Sequence, residues 1–138
     1  MIAPHSVIRW SDALLLGVDF VDHDHQEAVE TINRMAALAV DGKDLTAEMT
    51  AFRQHCQEHF AREEDMMART GFFAIEPHSD EHHRVLAEAD GIIAKLRAGE
   101  SCLDYFTEAL PQWFLEHRAT MDFVTADFAR ERGWTSAA

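Results

Sequence analysis

The sequence predicts an all-α fold, an antiparallel up-down-up-down four-helix bundle preceded by an N-terminal arm. Four segments repeat apolar residues at alternating steps of three and four. The breaks between them are short and carry Gly, Ser or Pro, and no segment alternates with a period of two. Helices joined by such short loops can only pack as antiparallel neighbours. One domain is expected over residues 1–138, with an arm at 1–17, the bundle at 18–132 and a C-terminal tail at 133–138.

The first helix is expected from about Asp22 to Val40, stopping before Asp41-Gly42. The second runs from Asp44 or Leu45 to Arg69, with Gly71 as its C-terminal stop. The third starts near Pro77, a residue suited to a first helical turn, and ends at Ala98 before Gly99. The fourth follows Ser101 as N-cap and continues to about Arg132, with Gly133 just beyond. Pro111 lies inside this helix, where its missing N–H removes a backbone hydrogen bond and is expected to kink it. Trp10 and Leu14 to Leu16 are too apolar for a free tail, so the arm should fold back over the bundle.

Composition narrows the function classes. The 138 residues are 47% hydrophobic, enough for a continuous core. The formal charge of −13, from 25 acidic and 12 basic residues, argues against nucleic acid or an anionic membrane as partner. No apolar run approaches the roughly 20 residues of a membrane span, and Met1 to Ser11 lack a signal-peptide pattern, so a cytoplasmic protein is expected. Two cysteines, Cys56 and Cys102, with no Cys-x-x-Cys, exclude a zinc ribbon or a disulfide framework.

Nine histidines are many for this length, and their placement is more telling than their number. The core stripe of the first helix reads Val21, His25, Ala28, Ile32, Met35, Ala39. The second reads Leu45, Met49, Phe52, Cys56, His59, Glu63, Met66, and the third Ile75, His78, His82, Val85, Ala89, Ile92, Leu96. The fourth reads Leu103, Phe106, Leu110, Trp113, His117, then Met121 or Val124. Each helix thus puts a histidine where packing calls for hydrocarbon, and the second adds a glutamate. A buried unpaired carboxylate is costly, and five buried imidazoles cannot all satisfy one another. A metal cluster resolves both problems, since neutral imidazole is a ligand and carboxylates balance the cations.

Depth in the bundle agrees with a single site. His25 is early in its helix, His59 and Glu63 late, His78 and His82 early, and His117 past the middle of the last. Alternating directions bring them to one end. His59/Glu63 and His78/His82 are spaced i, i+4, which puts each pair on one helix face about 40° apart. His117 and Asp122 are five apart, about 140° from a common face in a regular helix. Either Asp122 reaches in from the flank, the arrangement favoured here, or a π-type turn beside Pro111 or His117 brings it inward. Five nitrogens and two carboxylates exceed a tetrahedral zinc site and offer too few oxygens for calcium or magnesium; two iron ions suit the set.

The segments Val21-Asp22-His23-Asp24-His25, His59-Phe60-Ala61-Arg62-Glu63-Glu64, His78-Ser79-Asp80-Glu81-His82 and Trp113-Phe114-Leu115-Glu116-His117, running on to Asp122, resemble the hemerythrin family, in particular its single-domain bacterial members. The resemblance covers the chain from about Trp10 to the end of the fourth helix. It implies that His78, His82 and His117 bind one iron, His25 and His59 the other, and that Glu63 and Asp122 bridge them. It further implies an open coordination position on the second iron at which dioxygen binds reversibly, for storage, delivery or sensing, without enzymatic turnover. The alternative is a di-iron enzyme, a peroxidase or nitric oxide reductase, using the same open iron. Leu110, Trp113 and Phe114 are candidates for the pocket wall. Phe114 stands where family members often carry leucine, Asp24 where they carry Gln, and the family's Tyr-Pro before the third helix is absent. His5, His23, His55 and His83 are expected to be non-ligands, and Glu64 and Asp65 to form a solvated face.

Overall fold

The computed structural model describes residues 6–134, so His5 and the outer parts of the arm and tail lie outside the described residues. Three uninterrupted helices are followed by a fourth, interrupted rod, and no strand occurs among the described residues. Helix α1 is Asp19–Val40, α2 is Thr46–Thr70 and α3 is Ile75–Arg97. The fourth rod covers residues 103–131 and contains α4 (Leu110–His117) and α5 (Phe123–Glu131). None of these helices is long and apolar enough to cross a membrane.

The starts and stops follow local chemistry. Asp44 accepts from the Thr46 amide at 3.1 Å, and Ser101 Oγ accepts from the Leu103 amide at 3.2 Å, each satisfying an orphan donor at a helix start. Gly71 closes α2 at φ +69°, a left-handed conformation that glycine adopts without a Cβ penalty. Helix α3 begins two residues before Pro77, which therefore sits within the first turn, where no backbone N–H is needed.

The fourth rod departs from a regular helix twice, and each departure is a π turn. In the segment Tyr105–Ala109 the Leu110 amide donates to the Tyr105 carbonyl five residues back. In Arg118–Asp122 the Phe123 amide donates to the Arg118 carbonyl in the same way. The first lies directly ahead of Pro111, so the interruption expected there takes this form. Each π turn inserts one residue and rotates the later register. Hence Asp122 and Thr125 are buried where the regular pattern put Met121 or Val124; Met121 is only half-buried and Val124 is 43% exposed. Leu103, expected in the core, is 40% exposed at the start of the rod.

The arm does fold back. Ile8 exchanges two hydrogen bonds with the Asn33 side chain (2.9 and 2.8 Å), Asp22 accepts from the Leu16 and Gly17 amides, and Arg118 donates to the Ala13 and Leu14 carbonyls. The buried apolar side chains form two clusters. The larger includes Ile32, Met35, Met49, Phe52, Ile92 and Phe106; the smaller comprises Leu16, Val18, Val21, Met66, Ala126 and Ala129. The buried histidines and acids lie between them in sequence on three of the four rods: His25 between Val21 and Ala28, Glu63 between Phe60 and Met66, and His117 with Asp122 between Phe114 and Ala126.

Candidate metal centre

All seven candidate ligand side chains, the six on the core stripe and Asp122, are buried, with exposures from 0% at His82 to 6% at His59 and His117. Glu63, His78, His82, His117 and Asp122 place one ligand-type atom each within 4.8 Å of one another. His25 joins them through Nε2, 3.1 Å from Asp122 Oδ2. His59 packs beside His25 with ring centroids 5.4 Å apart. Asp122 is brought in by the π turn Arg118–Asp122, so the flank approach favoured from sequence is not the one adopted.

The orientation of the rings is informative. His59, His78 and His82 each have Nδ1 held by an outer partner: Asp24 Oδ2 at 2.8 Å, Thr125 Oγ1 at 2.8 Å and Glu64 Oε2 at 2.9 Å. With Nδ1 donating outward, Nε2 is left as the inward lone pair, the tautomer a metal requires. Arg62 adds a hydrogen bond to Asp24. Two aromatic rings fix the orientation further: Phe60 stacks on His82 (3.9 Å, 4°) and Trp113 on His117 (4.7 Å, 19°). Trp113 is itself anchored, its Nε1 donating to Glu81 Oε2 at 2.7 Å.

Inside this frame Asp122 takes contacts from His25, His78 and His117, but the remaining inward atoms do not satisfy one another. Glu63 Oε1 lies 3.1 Å from both His78 Nε2 and His82 Nε2, yet Glu63 Oε1, His82 Nε2 and His59 Nε2 are buried without a well-formed hydrogen bond. His78 Nε2 and His117 Nε2 face each other at 3.2 Å, two nitrogens that both repel as lone pairs unless a cation or proton lies between them. Native buried polar atoms are rarely left this way. Orphaned lone pairs that converge from several helices fit cations, and the donor set of imidazoles and carboxylates fits iron.

The electrostatics agree. Burial pushes the Glu63 carboxyl up, as does the neighbouring Asp122 charge, but the close approach of the His78 and His82 imidazoles prevails and holds it at about 2. Asp122 is opposed by burial and still held well below the usual carboxylate range, by His117 first and then His25 and His78. Burial lowers His78, while its hydrogen bond to Asp122 and the nearby Glu63 carboxylate raise it to about 9. Both acids are therefore anionic, and positive charge is drawn between them.

A cavity of about 30 Å³ opens beside His25 and His59. Ala28, Phe52, Cys56, Phe60 and Phe114 supply its apolar wall. Trp113 also lines it, as expected; Leu110 is buried in the larger core cluster and is not part of the lining. Burial pushes the Cys56 thiol up to about 12, so it acts as an uncharged filler. Of the other histidines within the described residues, His23 is exposed and pairs with Glu27, and His83 is exposed. His55 is half-buried and lines the cavity without approaching the ligand cluster. Sequence reasoning missed Glu64 and Thr125: Glu64 binds His82 rather than water alone, while Asp65 is solvated as expected and pairs with Arg69. Glu64, one residue from a ligand and four before Ala68 on the flank of the stripe, offered a signal only through its adjacency to Glu63.

Fold and site together define an α-helical bundle with a buried imidazole–carboxylate metal centre. A family model described as the hemerythrin HHE cation binding domain matches residues 16–129, and the chain belongs to the hemerythrin family. Bacteriohemerythrin of Ralstonia nicotianae is 30% identical over 128 residues, covering 92% of each chain. Myohemerythrin of Riftia pachyptila is 30% identical over 115 residues, 83% of this chain and 87% of its own. A crystal structure of a hemerythrin point variant superposes with a TM-score of 0.80 at 20% identity, covering 90% of this chain and 98% of that one, which shows the shared fold.

Proposed function

We propose that this chain binds dioxygen reversibly at a pair of iron ions held by the seven buried side chains. The observation that carries it is the small apolar cavity placed against His25 and His59, beside a cluster in which His59 Nε2, His82 Nε2 and Glu63 Oε1 have no hydrogen-bond partner. His78, His82 and His117 would hold one iron, His25 and His59 the other, and Glu63 and Asp122 both. When bound, such a pair supplies two electrons to dioxygen and recovers them on release.

The protein's own residues set the conditions. Asp24, Glu64 and Thr125 hold three ligand rings in the metal-binding tautomer and orientation. Phe52, Phe60 and Phe114 exclude water, which keeps protons away from a reduced ligand. The cavity admits a molecule of a few atoms at most, since about 30 Å³ is only two to three times the roughly 10–15 Å³ that one water needs.

Metal analysis and visible spectroscopy test this. Two irons per chain are expected, with a visible band that anaerobic reduction bleaches and air restores. Zinc alone, or one metal per chain, would refute the site. Rapid conversion to the diferric form with no stable oxygenated species would refute reversible binding and favour the di-iron enzyme.

A further inference from the structure

The side chains around the cavity differ in freedom. All of those lining it are buried except His55 and Trp113. Trp113 cannot move readily, because its ring stacks on His117 and its Nε1 is bonded to Glu81. Glu81 is fixed in turn by two hydrogen bonds from Arg84, at 2.7 and 2.8 Å. His55 is different. It is half-buried, and its side chain makes no hydrogen bond, ion pair or ring contact with any described residue.

A close-packed wall of Phe52, Phe60 and Phe114 yields only when the core itself deforms. An unpinned side chain between cavity and solvent needs only a rotamer change, which is fast and of small cost. We propose that His55 is the gate through which small ligands reach the metal cavity, and that it sets their rates of binding and release. Its swing also limits what passes: a molecule of two or three heavy atoms clears it, a bulkier one does not. The identity of the gated ligand rests on the dioxygen reading above; the position of the gate does not.

Two readouts separate the two. In iron-loaded, oxidised protein, azide binding is followed by stopped-flow absorbance. His55→Ala should speed both association and dissociation about tenfold and His55→Trp slow both, with the equilibrium constant little changed, because a gate alters the barrier and not the bound state. The second readout needs no iron chemistry. Methyl methanethiosulfonate, with six heavy atoms, is larger than the closed gate passes; once admitted, the minor thiolate fraction of Cys56 attacks its sulfenyl sulfur to form a disulfide while methanesulfinate leaves. Cys56 is buried in the cavity wall, whereas Cys102 is half-buried outside it and serves as the internal control. His55→Ala should accelerate labelling of Cys56 and leave Cys102 unchanged, read by peptide mass. Cys56 labelling that is the same in all three proteins would overturn the gate, as would azide rates that respond to Trp113→Phe but not to His55. Absence of any azide complex would sink the dioxygen reading, with Cys56 labelling still deciding the gate.

Discussion

The π turn Arg118–Asp122 makes a prediction that runs against ordinary expectation for a metal site: removing a residue from it should preserve the centre. His117 and Asp122 are five residues apart, and a regular helix would separate them by about 140° around the axis. The π turn absorbs the surplus as one inserted residue, shown by the Phe123 amide reaching five residues back to Arg118. Deleting Ala119, which is exposed, leaves the two ligands four apart, about 40° from a common face in a regular α-helix. Residues beyond the turn, including Thr125 and Ala126, keep their inward register. Inserting an alanine after Ala119 does the reverse, placing Asp122 about 120° from His117. That leaves His25, His78 and His117 without the carboxylate they share, at a cost of roughly 3–5 kcal/mol for a broken buried pair. Iron content by elemental analysis and thermal unfolding by circular dichroism provide the assay. The deletion should hold two irons per chain with an unchanged or higher Tm; the insertion should lose iron and stability. A folded deletion variant without iron would refute the register explanation.

Other outcomes follow from named contacts. Glu64→Ala frees His82 Nδ1 and should weaken metal binding about 10- to 100-fold in chelator competition, with the fold unchanged by circular dichroism. Burial pushes the Asp24 carboxyl up, but hydrogen bonds from His59 and Arg62 outweigh it and hold it at about 2 against 3.8 unfolded. A depressed acid contributes stability above its unfolded value and loses it as pH falls through the folded one, so urea midpoints of metal-free protein should fall between about 3.8 and about 2 more steeply than those of Asp24→Asn. Equal slopes would mean the contact contributes nothing. Phe106 is fully buried in the larger cluster, so Phe106→Ala should cost about 3–5 kcal/mol in denaturant unfolding while iron content per folded chain stays the same; a loss under about 1 kcal/mol would contradict its role in packing.

Helix number, order and six of the seven inward residues could be read from sequence because they follow from one periodicity. A histidine at a core position stands out against the hydrocarbon it replaces, and His25, His59, His78, His82 and His117 all did. Asp122 was legible as a residue type but not as a geometry. A π turn is a one-residue insertion with no compositional mark, and whether the chain adopts it depends on what the inserted register can reach. The same slip explains why Val124 was placed inward and Thr125 was not. Glu64 and Asp24 escaped notice as partners for another reason: they sit on stripe flanks, where a charged residue ordinarily meets water, and only the tertiary approach of His82 and His59 gives them a second role. Helix starts moved by one to three residues, Asp22 to Asp19 and Pro77 to Ile75, because neither start has a side-chain cap to announce it.

The division of the hydrocarbon interior into unequal halves bears on how iron arrives. The gate proposed at His55 would suit a diatomic gas, not a hydrated cation that must shed its shell onto seven groups. The half holding Leu16, Val18, Val21, Met66, Ala126 and Ala129 has only six buried members, one of them from the arm and two of them alanines. It is the weaker clasp, and in iron-free chains it should loosen first, with faster amide exchange at residues 16–22 and 123–131 than at 28–36. Metal would then be laid into an opened jaw that shuts upon it. Uniform exchange along all four rods would leave that route without support.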